Sequence, residues 1–155
     1  MIDKYVLISQ LVDKYFTKLV TAYGFEKVAS GSAQEGFGAK FRNKTTIITI
    51  YFEMITGYGE PFVQITDITR QKTTSLGVLL EGLGIEKLPK FEDIHRDKLK
   101  NIEELDKILL QKSHQLFTYA TDFLKGDFSI MPKLEELEKK RQREYIEYRK
   151  SKSDL

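Results

Sequence analysis

Tyr5, Ile8, Val12, Tyr15, Phe16, Leu19 and Tyr23 recur at helical intervals, with Asp3, Gln10, Lys14, Thr17 and Thr21 opposite them. That 3.6-residue period predicts an amphipathic helix from Asp3 to Tyr23. Gly24 is its expected stop, because glycine accepts the left-handed backbone that ends helices. From Phe25 the pattern changes. Phe37, Ala39 and Phe41 alternate with Gly38, Lys40 and Arg42. Thr45 to Glu53 and Phe62 to Ile68 are rich in β-branched and aromatic residues and alternate with period two, as strands do. Phe25 to Ser30 is a weaker strand, and Asn43-Lys44 a turn. The short connections predict an antiparallel meander of about four strands, since parallel pairing needs crossovers of a dozen or more residues.

The two faces of the predicted sheet differ. Ile48, Ile50, Phe52, Val63 and Ile65 are assigned to the helix-packed core. The opposite set, Ile47, Thr49, Tyr51, Phe62, Gln64 and Thr66, is unusually apolar for a solvated face. It either lies under later helices or forms a binding surface. Beyond the sheet, Leu76 to Leu83 reads as a short helix capped by Thr74 or Ser75. Gly84 to Asp97 reads as a loop. Lys98 to Lys125 reads as one long helix with a stripe of Ile102, Leu105, Leu109, Leu116, Ala120 and Phe123. After Gly126-Asp127 a last helix starts at Ser129 or Pro132 and runs to about Lys150. Leu134 and Leu137 pack it on the domain, and the same face continues as Arg141, Tyr145 and Tyr148, residue types favoured at interfaces. The expected fold is α+β: the meander packed by an N-terminal helix and a C-terminal helical pair. Residues 1–150 form one domain, and 151–155 a disordered tail.

Composition narrows the chemistry. With 155 residues the chain has the length of one ordinary domain. It has no cysteine, which excludes disulfides, thiol nucleophiles and thiolate metal sites. There is no signal-peptide pattern and no apolar run long enough to span a membrane, so a cytoplasmic protein with no membrane association is expected. The net charge is +2 although 31% of residues are charged. The basic stretch KKRQREYIEYRK interleaves cations with aromatics, as nucleic-acid binders do. Glu135, Glu136, Glu138, Glu144 and Glu147 largely offset it, so nucleic acid is not the expected partner; a nucleic-acid-associated role for this basic helix, or an enzyme of unrecognised type, is the alternative reading.

Catalytic motifs fail one by one. His114 falls on the polar side of its helix, and neighbouring Ser113 cannot face it. His95-Arg96-Asp97 resembles the kinase catalytic triplet, but Asn101 is one position too early and no glycine-rich loop precedes it. Gly31, Gly36 and Gly38 lack the lysine-hydroxyl ending of a phosphate loop and read as turn glycines. Asp93, His95 and Asp97 are spaced to face one way on an extended segment, yet read as a solvated loop. No catalytic residue, metal site or cofactor is expected. Tyr58, between Gly57 and Gly59 in the loop EMITGYGEP, is expected to be an exposed recognition residue.

One segment carries a resemblance. Tyr119-Ala120, Leu124, Gly126-Asp127-Phe128-Ser129, Pro132 and Leu134 give a "YA…L.GDFS…P.L" pattern. It resembles a segment of small stand-alone bacterial proteins, some of them immunity-protein-like. The resemblance implies a non-enzymatic domain that neutralises a toxin by direct binding. It brings no catalytic residues. The residues expected to bind a protein partner are Tyr51, Tyr58, Phe62 and Gln64, or alternatively Arg141, Tyr145 and Tyr148.

Overall fold

The computed structural model describes residues 3–33, 36–54, 58–91 and 99–153. Helix α1 (Lys4–Tyr23) begins at Asp3, whose carboxylate accepts the Tyr5 N–H, and stops at Gly24 with φ 69°. Five strands follow: β1 (Glu26–Ala33), β2 (Gly36–Arg42), β3 (Thr46–Glu53), β4 (Phe62–Asp67) and β5 (Lys72–Ser75). They form one antiparallel sheet in sequential order. This is the expected α+β meander with one strand more than expected. β5 has no hydrophobic alternation to betray it; backbone pairing with β4, from Gln64↔Ser75 to Asp67↔Lys72, holds it.

Helix α2 (Leu76–Gly82) starts at Ser75, whose hydroxyl accepts the Val78 N–H. Helix α3 (Ile102–Tyr119) is capped by the Asn101 side chain. Ala120, at φ −107° and ψ 17°, separates α3 from the short α4 (Thr121–Leu124). The single long helix expected over Lys98–Lys125 is therefore shorter at its start and broken near its end. The break has a tertiary cause. Thr46 Oγ1 donates to the Phe123 carbonyl and Asn43 Nδ2 to the Leu124 carbonyl, which ties α4 to the β2–β3 turn.

Helix α5 (Met131–Ser153) continues past Lys150, so Ser151–Ser153 are helical and not part of a disordered tail. In the GDFS corner, Gly126 takes φ 89°, Asp127 Oδ1 accepts the Ser129 N–H, and the Phe128 ring stacks on Phe123 at 5.3 Å.

The described helices share one face of the sheet. Phe37, Ala39, Phe41, Ile48, Ile50, Phe52, Val63 and Ile65 join the helix residues Ile8, Val12, Phe16, Leu79, Leu105, Leu116 and Leu134 in one buried core. At roughly 1.5–3 kcal/mol for each large apolar side chain buried, this cluster dominates the driving force for folding.

Candidate binding surface

The other face of the sheet carries no helix among the described residues. Its composition follows from register. Gly38 pairs with Tyr51, and Tyr51 with Phe62, so these three share a row with Gly31 of β1. The next row runs Ala29, Lys40, Thr49, Gln64, Ser75, and the one beyond it Glu26, Arg42, Ile47, Thr66, Thr73. None of these belongs to the core cluster. Phe62 is 47% exposed, a large amount for a phenylalanine in the second strand from a sheet edge. Tyr51 and Gln64 are half-buried.

Gly31 and Gly38 lie inside strands, not in turns as expected, and they are cross-strand partners. Neither has a side chain, so the row drops from an aromatic ledge, Phe62–Tyr51, to a floor of backbone. Gly31 has φ 141°, a conformation that favours glycine, and a Cβ built there meets nothing within 4 Å. The step is a product of register, and residue identity taken one position at a time does not show it.

Tyr58 is not part of this surface. Its backbone exchanges hydrogen bonds with Leu99 (3.4 and 2.7 Å), and its half-buried side chain packs against the core. Nearby, Glu60 pairs with Lys112 of α3 at 3.4 Å, on the helix side of the sheet. The exposed recognition tyrosine expected here is instead a packing residue. Gly57 lies outside the described residues.

The Arg141–Tyr145–Tyr148 face of α5 is also engaged. The Phe91 ring lies 5.2 Å from Tyr145 and 5.9 Å from Tyr148, centroid to centroid. Arg141 covers Phe91 at 4.7 Å and donates to the Pro89 carbonyl at 3.2 Å. Sequence reasoning missed Phe91, because nothing local marks a loop phenylalanine as the partner of a distant helix.

Titratable chemistry is sparse among the described residues. Tyr15 donates to Asp106 Oδ1 across α1 and α3 at 2.5 Å. That hydrogen bond, then burial, then the Asp106 charge raise the tyrosine pKa. Hydrogen bonds from the Ser129 hydroxyl and backbone hold Asp127 below the usual carboxylate range. No group of three or more metal-ligating side chains occurs among the described residues. His114 is exposed, as expected. Asp93, His95, Arg96 and Asp97 lie outside the described residues. A cleft of about 490 Å³ is bordered by Arg70, Lys72, Asp127 and Glu135. Its cations are already committed, Arg70 to Asp67 at 3.0 Å and Lys72 to Glu135 at 3.5 Å.

No helix among the described residues is long and apolar enough to cross a membrane. No protein-family model matches the chain, and the searches of curated proteins and of solved structures gave no match.

Proposed function

We propose that this chain is a non-enzymatic binding domain that engages a protein partner through the open face of its sheet. The observation that carries the reading is the Phe62–Tyr51 ledge beside the Gly31–Gly38 floor on a face that no helix among the described residues covers. Lys40, Thr49 and Gln64 form the next row and Arg42 and Thr66 the one beyond, so the aromatics are bordered along one side by polar positions of the kind that rim an interface. Five strands at about 4.8 Å spacing and about 20 Å length make a patch on the order of 500 Å² in projection. That is below the roughly 800 Å² per partner of a standard interface and matches the smaller, transient class.

Neutralisation of a toxin by direct binding is the concrete form of this reading. The Tyr119–Leu134 resemblance supports it, and an open-face site suits an inhibitor that acts by covering its target.

A photo-crosslinking residue at position 62, in cells that make the protein at natural level, tests the proposal. Position 62 should yield one discrete protein adduct, and the exposed position Leu110 on α3 should yield none. If the partner is a toxin, the adduct should be the product of an adjacent gene. Absence of an adduct at 62, or equal adducts at both positions, would refute the assignment.

A further inference from the structure

The charges of α5 are sorted along its length. Three of its five glutamates, Glu135, Glu136 and Glu138, lie in its first two and a half turns. Two of them face the domain: Glu135 pairs with Lys72 at 3.5 Å, and Glu138 accepts the Thr74 hydroxyl at 3.0 Å. They do not neutralise the distal half. Lys139–Ser153 contains seven lysines and arginines to two glutamates, a net +5 against +2 for the whole chain.

The distal ion pairs are Lys139–Glu136 and Lys140–Glu144, at 3.5 and 4.0 Å between exposed side chains. Arg143, Arg149 and Lys150 have no carboxylate partner among the described residues. At 100° per residue, Lys139, Arg143 and Lys150 fall on one line. That line is opposite the side where Arg141 and Tyr148 hold Phe91.

We infer that the distal half of α5 binds the phosphate backbone of double-stranded DNA. Three observations favour DNA over an acidic protein. The helix buries only Met131 and Leu134, both in its first turns. The outward line carries a single large apolar residue, Ile146, so it lacks the apolar core an interface needs. Its aromatics Tyr145 and Tyr148 are turned toward Phe91. A helix about 10–12 Å across fits the roughly 12 Å major groove of B-DNA, whereas the A-form RNA groove is too narrow. The surface is separate from the open sheet face, so this inference stands or falls independently of the proposed protein partner.

The test is fluorescence anisotropy of a mixed-sequence DNA duplex of about 20 base pairs with the full chain. With one phosphate contact for each of the three cations on that line, affinity should fall about 40-fold between roughly 50 and 200 mM salt. The double variant Arg143→Glu/Lys150→Glu should bind at least about 30-fold more weakly at the lower salt. The same charge change at exposed Lys87 and Lys107 should alter binding less than about threefold, because those lysines lie off the line. Circular dichroism should show α5 intact in both variants. No binding at low salt, or equal losses in the two double variants, would overturn the inference. So would an acidic peptide of matched charge that binds as tightly as the duplex.

Discussion

The guanidinium of Arg141 lies 4.7 Å over the ring of Phe91 and bonds the Pro89 carbonyl, which joins the α2–α3 connection to α5. The face of α5 that sequence alone marks for a partner thus packs in part against the chain itself, while Tyr145 stays 43% exposed. Cation–π and aromatic pairs at a partly exposed site contribute about 0.5–1.5 kcal/mol each. Phe91→Ala should therefore loosen the distal helix without unfolding the domain. Amide hydrogen exchange over 141–153 should quicken about 5- to 10-fold, with little change in the sheet. Unchanged protection would show that Phe91 does not hold α5.

Asn43 is a second such joint, at the β2–β3 turn. Its Nδ2 donates to the Tyr23 and Leu124 carbonyls, and its Oδ1 accepts the Thr45 and Thr46 N–H groups at 3.0 and 2.8 Å. One side chain thus joins α1, the β2–β3 turn and α4. Asn43→Ala leaves several partly buried groups unpaired, and a loss of about 2–3 kcal/mol in urea unfolding is expected. Thr46→Val removes the bond to the Phe123 carbonyl and the hydroxyl contact with Thr45, and should cost about 1–2 kcal/mol. A loss below about 0.5 kcal/mol for Asn43→Ala would contradict this role.

The Tyr15–Asp106 hydrogen bond gives the fold an alkaline limit. Its acceptor, the Asp106 charge and burial all favour the neutral phenol, so the folded pKa lies above the unfolded value near 10. The folded state then retains a proton that the unfolded state releases. The contribution is complete below the unfolded pKa and disappears as pH rises through the folded one. Tyr15→Phe should flatten the decline in urea midpoint between about pH 9 and 11. An unaltered slope would mean that this pair does not couple folding to pH.

Gly36 sits where no side chain fits. A Cβ there would lie 2.3 Å from the Phe52 carbonyl oxygen, a backbone atom that cannot swing away. Gly36→Ala should cost at least about 2 kcal/mol, by strain between β2 and β3. Gly31→Ala meets no such contact, so its cost comes from the positive φ alone and should be smaller. Equal midpoints for the two variants in urea would contradict this ranking.

What was legible in the sequence was local. The alternation of Ile48, Ile50 and Phe52 with Ile47, Thr49 and Tyr51 located β3 and its two faces, and the burial of the first set agrees. The period of α1 and its glycine stop were equally plain. Distant partners decided the rest. The spacing of Leu116, Ala120 and Phe123 suits an unbroken helix, and the break comes from Thr46 and Asn43. Tyr58 has the local setting of an exposed loop tip, and its pairing with Leu99 draws it inward. The open-face residues Tyr51, Phe62 and Gln64 could be named from alternation. That no helix among the described residues covers them, and that Gly31 and Gly38 complete their row, required the tertiary structure.

The central claim is that the Phe62–Tyr51 ledge is the binding surface. The direct measurement is titration calorimetry of the crosslinked partner, once purified, against the wild type and Tyr51→Ala/Phe62→Ala. Both side chains lie outside the core, so the variant should unfold within about 1 kcal/mol of the wild type. Two aromatic anchors lost together should weaken binding about 100-fold or more. Wild-type affinity in a variant that remains folded would contradict the account.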